Sequence, residues 1–216
     1  MELVVVPAYN ESANIGRVVR DLFQHGWKDV LVVSDGSTDM TVSLAEEAGA
    51  KVVSHLVNRG QGAVLETGNE YARRNGYDIV VHFDGDGQLS AADIKGAIEK
   101  INAGYDVVLG SRFLDERSKL PWTKRYLILP VARLINYFLT GVRLSDAHNG
   151  FRVLNKTALE KIRIAQSGMA HNSEIVAEMK RLGLRHVEHP VEIKYLEYGQ
   201  GVTGGVKIIF DWIFKN

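Results

Sequence analysis

Three oxygen-bearing side chains occupy alternate positions in one short stretch of this sequence, Phe83-Asp84-Gly85-Asp86-Gly87-Gln88, which follows the apolar run Ile79-Val80-Val81. Side chains alternate faces along a strand, so Asp84 and Asp86 at the end of such a run are expected side by side. Their like charges repel, so either a cation lies between them or the pKa of one rises. Carboxylate and amide oxygens suit hard divalent cations, so Asp84, Asp86 and Gln88 predict a metal site. A solvated turn is the alternative.

Other ion- and nucleotide-binding motifs fit poorly. An EF-hand loop beginning at Asp84 would need glycine and glutamate where the chain has Leu89 and Lys95. The glycine fingerprint of dinucleotide-binding folds is absent after the first apolar run, where Pro7–Glu11 stands instead. The Gly-Lys pair of a P-loop does not occur in the sequence. These observations exclude the common phosphate motifs.

The elements that position the aspartates follow from hydrophobic periodicity. Short β-branched runs separated by amphipathic stretches predict five strands near residues 3–6, 30–33, 51–54, 79–82 and 106–109. Ser90 followed by Asp93 predicts a capped helix after the fourth strand. Alternation of strand and helix indicates an α/β fold in which these five strands form one layer, a mostly parallel sheet flanked by helices.

Three polar clusters directly follow predicted strands: Pro7–Glu11, Asp35–Asp39 and Asp84–Gln88. The carboxyl ends of parallel strands share one edge, which is where ligands bind in such sheets. We therefore expect the three clusters to lie together. Gly60 and Gly62 either let backbone N–H groups face an anion there or are ordinary loop glycines.

Composition narrows the classes of function. The 216 residues include 45% hydrophobic residues, and 26 acidic residues balance 26 basic ones, so nothing favours nucleic-acid binding. There is no cysteine, and hence no disulfide framework or thiolate chemistry. Neither a secretion signal nor an uninterrupted apolar run of about 18 residues is evident, which leaves attachment to a membrane surface open.

Five motifs together resemble family 2 glycosyltransferases, in particular the dolichyl-phosphate mannose synthase group and its bacterial polyprenyl-phosphate relatives. They are Pro7-Ala8-Tyr9-Asn10-Glu11, Asp35-Gly36-Ser37-Thr38-Asp39, Asp84-Gly85-Asp86-Gly87-Gln88, Gly110-Ser111-Arg112-Phe113 and Asp146-Ala147-His148-Asn149-Gly150-Phe151-Arg152. The resemblance implies a single Rossmann-like GT-A domain over residues 1–216, with a nucleotide-sugar-binding half (1–110) and an acceptor-binding half (111–216). It also implies a GDP- or UDP-sugar donor, Mg²⁺ or Mn²⁺, and inversion at the anomeric carbon.

The resemblance also suggests roles for individual residues. Pro7, Ala8, Tyr9 and Glu11 would line the nucleoside pocket, and Asp35 would contact the base or ribose. In the remaining motifs, Asp84 and Gly85 would face the ribose or donor sugar, Asp84, Asp86 and Gln88 would hold the metal ion on the diphosphate, and Arg112 would contact a phosphate.

Asp146 corresponds to a catalytic carboxylate in many relatives. A hydroxyl acceptor needs a general base, which Asp146 would supply, whereas a lipid phosphate is already anionic. In the second case Asp146 would orient the donor or pair with Arg152. A turn or capping role is the structural alternative for Asp146, and a plain ion pair for Arg152.

The second half contains a basic, aromatic and apolar segment between Arg112 and Arg143, which predicts either an interfacial helix or a core helix with a solvated basic face. The glycine-rich tail after Tyr195 resembles a lid over the donor, with Lys207 as its nearest cation; a linker is the alternative.

We therefore predict a cytoplasmic enzyme, peripheral at the inner face of a membrane, that transfers a sugar to polyprenyl phosphate. A separate membrane protein is one of its predicted partners. The alternatives are transfer to a saccharide or protein hydroxyl and a nucleotide-sugar-binding protein without turnover.

Overall fold

The computed structural model describes residues 1–115, 117, 137–138, 140–146, 149–168 and 170–194. These residues form seven strands and six helices. The strands are β1 (Glu2–Ala8), β2 (Val30–Ser34), β3 (Lys51–Ser54), β4 (Ile79–His82), β5 (Val107–Ser111), β6 (Arg152–Asn155) and β7 (His186–Pro190). The helices are α1 (Ile15–Gln24), α2 (Thr41–Glu47), α3 (Gln61–Arg74), α4 (Asp93–Asn102), α5 (Lys156–Lys161) and α6 (His171–Arg181).

All seven strands form one sheet in the order β3-β2-β1-β4-β6-β5-β7. The pairs within β3-β2-β1-β4 are parallel, and so is the pair of β5 with β7. Strand β6 lies antiparallel between β4 and β5, with Val153 opposite both Val81 and Val108. The α/β class with a mostly parallel sheet flanked by helices is thereby confirmed.

The sheet is buried on both faces, which explains why its strands are continuous apolar runs. In β1, Val4 and Val6 pack into one core, while Leu3 and Val5 pack into a second core on the opposite face. Helix α1 supplies the first core with residues at helical spacing that are all buried: Ile15, Val18, Val19 and Leu22.

Two expectations were wrong. The five predicted strands are present, but they do not form a five-stranded layer, because β6 and β7 from the second half complete the sheet and β6 separates β4 from β5. The cap predicted from Ser90 is also absent. Ala92 occupies the N-cap position of α4 without a side-chain hydrogen bond, because the carboxylate of Asp93 accepts instead from Arg117 (2.7 Å) and from the backbone N–H of Glu192 (2.8 Å).

Candidate functional site

The loops after β1 and β2 are joined by hydrogen bonds at the carboxyl edge of the sheet. The backbone N–H of Asn10 donates to Ser37 Oγ (3.1 Å), and the N–H of Thr38 donates back to Asn10 Oδ1 (2.9 Å). The N–H of Glu11 donates to Thr41 Oγ1 (2.7 Å) at the start of α2. Asn10 itself has a left-handed backbone (φ 54°), a conformation that asparagine tolerates better than most residues. The two loops therefore form one structural unit.

The loop after β4 lies against the end of β1. A Cβ atom at Gly85 would lie 2.8 Å from the carbonyl oxygen of Pro7, so only glycine permits this approach. Ala8 is buried at the end of β1, whereas the side chain of Tyr9 is 50% exposed and Glu11 is half-buried. The prediction that these three polar clusters share one edge is thus confirmed.

Asp35 is buried, and both of its carboxylate oxygens hold the loop between β3 and α3. Its Oδ1 accepts from the backbone N–H of Arg59 (2.8 Å) and lies 2.9 Å from His55 Nδ1, and its Oδ2 accepts from the N–H of Gly60 (2.7 Å). The carboxylate thus fixes the start of α3 beside the β1 and β2 loops. Contact of Asp35 with a nucleoside stays a prediction.

Asp84 lies in the turn after β4, packed between two other segments. Its Oδ1 accepts from Gln61 Nε2 (3.2 Å), and a Cβ atom at Gly150 would lie only 2.1 Å from its Oδ2. Burial, and secondarily the charge of Asp86, raises the pKa of Asp84 to about 6. The sequence predicted such a rise from charge repulsion alone, but burial is the larger cause.

Asp86 lies two residues after Asp84 in the same turn and is part-buried. Its Oδ1 accepts from the backbone N–H of Gln88 (2.9 Å), which opposes the rise in its pKa that burial causes. Between them, Gly87 has φ +75°, and a Cβ atom there would lie 2.3 Å from the guanidinium of Arg17 on α1. Arg17 therefore brings a positive charge to Asp86, and this charge lowers the pKa of that carboxyl.

The residues present fit a hard divalent cation. Asp84 and Asp86 are part-buried carboxylates in one turn, and burial raises the pKa of each, so that a cation between them would stabilise their charged forms. Within the described part of the chain, no group of three or more His, Cys, Asp or Glu side chains could hold a metal ion. A cation at Asp84, Asp86 and Gln88 would consequently need further ligands from a bound anion.

Asp146 and Arg112 are paired with each other. Arg112 donates from Nε to Asp146 Oδ2 (2.6 Å) and from Nη2 to Oδ1 (2.7 Å), and its backbone N–H also reaches Oδ2 (3.1 Å). Burial alone would raise the pKa of Asp146, but the hydrogen bonds and charge of Arg112 outweigh it and hold the pKa below its ordinary value. The suggested pairing of Asp146 with Arg152 is thus replaced by a bidentate pair with Arg112.

A second carboxylate fixes the backbone of this pair. Glu188 Oε1 on β7 accepts from the N–H groups of Ser145 (2.8 Å) and Asp146 (3.2 Å). Asn149 Nδ2 adds a longer contact of 3.3 Å to Asp146 Oδ2. The side chain of Asp146 has no solvent exposure, while that of Arg112 keeps 18%. Of the two, Arg112 is the one that a ligand can reach.

Two residues that contact the aspartate turn, Arg17 and Gln61, were not identified from the sequence. The burial of Arg152 was also not predicted. Arg17 is on the exposed side of α1, where nothing in the helix pattern distinguishes it from a solvated arginine. Arg152 was identified in its motif, but its pairing with His82 across β4 and β6 depends on a strand contact between distant segments.

Some predicted residues have structural roles or lie outside the described residues. Glu174, in the first turn of α6, accepts from the N–H groups of Ala165 (3.1 Å) and Gln166 (2.9 Å) and therefore has a structural role. Lys207, the tail and most of the basic segment are outside the described residues. Within the described residues, no helix has the length and apolar character needed to cross a membrane.

Comparison with known proteins identifies the family. The family described as Glycosyl transferase family 2 matches residues 3–163. The UDP-N-acetylglucosamine–dolichyl-phosphate N-acetylglucosaminyltransferase of Methanococcus voltae is 31% identical, over 96% of this chain and 92% of that protein. The polyprenol monophosphomannose synthase of Mycolicibacterium smegmatis is 29% identical, over 95% of this chain and 82% of that protein.

The fold is also that of solved glycosyltransferases. Glucosyl-3-phosphoglycerate synthase from Mycobacterium tuberculosis, crystallised with Mn²⁺, uridine diphosphate and glucosyl-3-phosphoglycerate, superimposes with a TM-score of 0.71 at 20% identity, over 99% of this chain and 78% of that chain. The fold of the sheet and its flanking helices is therefore that of a GT-A glycosyltransferase. The chain belongs to glycosyl transferase family 2.

Proposed function

We propose that the protein transfers a sugar, with inversion and with a divalent cation, from a nucleotide-sugar donor to a polyprenyl phosphate. The observation that carries the choice of acceptor is the state of Asp146. Both oxygens of this carboxylate accept hydrogen bonds from Arg112, and its pKa lies below the ordinary value. Such a group is a poor general base, so it suits an acceptor that needs no deprotonation. A lipid phosphate is such an acceptor, and relatives named for dolichyl phosphate and polyprenol support this choice.

The donor would bind along the joined loops at the carboxyl edge. Pro7, Ala8, Tyr9 and Glu11 would surround the nucleoside, with the half-exposed ring of Tyr9 available for stacking. Asp35 would hold the edge of this pocket through its hydrogen bonds. Its Oδ2 accepts from the N–H of Gly60 and would make any direct contact with the base or ribose through its second lone pair. Ligand binding at this edge is the rule in open α/β sheets.

The reacting end of the donor would lie at the aspartate turn. Asp84, Asp86 and Gln88 would hold Mg²⁺ or Mn²⁺, and Gly85 would let the diphosphate approach the backbone. When bound, the cation neutralises charge that develops on the departing diphosphate. Arg112, and Lys207 from the tail, would add positive charge for the donor or acceptor phosphate.

Asp146 then acts through Arg112. The bidentate pair fixes the planar guanidinium so that its exposed part faces the phosphate without losing rotamer freedom on binding. The acceptor phosphate itself attacks the anomeric carbon, the nucleoside diphosphate leaves on the opposite side, and the configuration inverts. Residues 1–110 would supply the donor site and residues 111–216 the acceptor site of one domain. Because the acceptor is a lipid, the enzyme would work at the cytoplasmic face of a membrane, with or without a membrane partner.

Transfer of radiolabelled sugar tests this proposal. A panel of UDP- and GDP-sugars is incubated with the full chain and undecaprenyl or dolichyl phosphate in detergent, with Mn²⁺, Mg²⁺ or EDTA. We expect lipid-extractable label only with a divalent cation, and none in saccharide or peptide acceptors. Label transferred to soluble hydroxyls would overturn the choice of acceptor. Donor binding with no transfer to any acceptor would instead support a non-catalytic binding protein.

A further inference from the structure

A cluster of buried polar side chains lies beneath the aspartate turn. Arg152 on β6 and His82 on β4 are opposite each other in the sheet, and each is 1% exposed. His82 Nε2 lies 2.8 Å from Asn69 Oδ1, and Arg152 Nη2 donates to Asn172 Oδ1. His171 completes the cluster, and burial lowers its pKa to about 4 and that of His82 to about 3. Both histidines are therefore neutral at physiological pH, and Arg152 is the cation of the cluster.

The charge of Arg152 is not neutralised by direct contact. Its Nε and Nη1 atoms are buried without a hydrogen-bond partner, and no ion pair links it to a carboxylate among the described residues. Burial lowers the pKa of Arg152 to about 10, against the opposing influence of Asp84 and Asp146, so the guanidinium stays charged at neutral pH. A buried cation that forms no ion pair is costly, which calls for a compensating role.

Asp84 is the carboxylate on which this charge acts most strongly. Gly150, two residues before Arg152, packs against Asp84 so closely that a Cβ atom there would overlap its Oδ2. The charge of Arg152 lowers the pKa of Asp84 against the larger effect of burial, and among the carboxylates Asp84 in turn raises the pKa of Arg152 most. At 1% exposure Arg152 cannot reach a ligand itself, so any effect on binding must pass through the field at Asp84.

We propose that Arg152 is a positioning residue whose buried charge makes the aspartate turn bind a divalent cation only together with an anionic diphosphate. The charge of Arg152 acts on Asp84 and that of Arg17 on Asp86, and together they offset part of the negative charge of the two aspartates, to which Glu11 adds. The turn alone therefore attracts a cation weakly, and the diphosphate supplies the missing negative charge and ligands. The same positive charge attracts the diphosphate before the cation arrives. This inference rests on the proposed donor site but not on the identity of the acceptor.

Opposite effects on the two ligands distinguish this role from a structural one. In Arg152→Met, which keeps length and removes charge, we expect Mn²⁺ without nucleotide to bind about tenfold more tightly at pH 8, measured from the electron paramagnetic resonance signal of free Mn²⁺. UDP or GDP without metal, measured by calorimetry in EDTA, should bind about tenfold more weakly. Arg152→Lys should restore both affinities toward wild type. A merely structural arginine would shift both affinities in the same direction or leave both unchanged.

A second variant keeps the test valid if Arg152→Met does not fold. Asn172→Asp is isosteric and places a carboxylate against the guanidinium, which neutralises it in place, so we expect the same tighter Mn²⁺ binding. Arg73→Met is the matched control, because Arg73 is a mostly buried arginine paired with Glu66 and Glu70 on α3. Equal or weaker Mn²⁺ binding in both Arg152→Met and Asn172→Asp would overturn the inference, as would an increase in Arg73→Met. Failure of wild type to bind either nucleotide with Mn²⁺ would instead count against the donor site.

Discussion

Replacing Asp84 with asparagine should stabilise the free protein at neutral pH. Asp84 has a pKa of about 6 in the folded chain against 3.8 for an ordinary aspartate, so the folded state prefers the neutral carboxyl. Stability is highest when Asp84 is protonated and is lost as the pH rises from about 4 to about 6. The full difference corresponds to about 3 kcal/mol at pH 7.5, and solvent at this part-exposed turn reduces the expectation to about 1–3 kcal/mol. Asparagine preserves the acceptor for Gln61 Nε2 without the charge.

Urea unfolding of wild type and Asp84→Asn between pH 4 and pH 8 measures this effect. We expect equal free energies of unfolding near pH 4 and a growing advantage for Asp84→Asn up to about pH 7, where the difference levels off. Taking the difference at each pH cancels all other titrating groups. Mn²⁺ with a nucleoside diphosphate should raise the stability of wild type but not of the variant. A variant as stable as wild type, or less stable, at pH 7.5 would refute the assigned electrostatics of the turn.

Three further substitutions test other contacts. Asp146→Asn should lower the free energy of unfolding by about 3 kcal/mol at pH 7, because Arg112 would lose the buried carboxylate with which it is paired. In wild type, the stability that this pair contributes should be lost as the pH falls below about 4, because the pKa of Asp146 is lowered in the folded chain. A free energy of unfolding in urea that does not change with pH in this range would contradict this. Gly150→Ala should weaken binding of Mn²⁺ with UDP or GDP at least about tenfold by displacing Asp84, and retained affinity would count against that packing. Asp35→Asn should cost about 2 kcal/mol in urea unfolding, because one backbone N–H loses its acceptor; an unchanged midpoint would argue against this.

The first half of the fold was predictable because its signals are local. Each of the five expected strands is a short β-branched run, and α1 shows the helical spacing of its buried residues directly in the sequence. The position of β6 was not predictable in the same way. Its insertion between β4 and β5 depends on pairing between Val81 and Val153, which are far apart in sequence. Local periodicity carries no information on which distant strands become neighbours.

The location of the candidate site was predictable, but its internal contacts were not. Parallel strands put Asp35 and the aspartate turn at one edge, as the sequence indicated. However, β4 ends at His82, so Asp84 and Asp86 lie in a turn rather than on the strand end that was expected to align them. The partner of Asp146 was also open, because choosing between Arg112 and Arg152 depends on side-chain directions that only the folded chain determines.

The antiparallel strand in the middle of the sheet has a consequence for how the polypeptide can be divided. Because β6 covers the free edge of β4, a fragment ending near residue 110 would expose a row of unpaired N–H and C=O groups along Ile79–His82. Such a fragment would also lose the glycine backbone that supports Asp84. A recombinant fragment of this length should self-associate through the open edge of β4. Reassembly of the fold with the remaining chain should depend on the pairing of β6 with that edge.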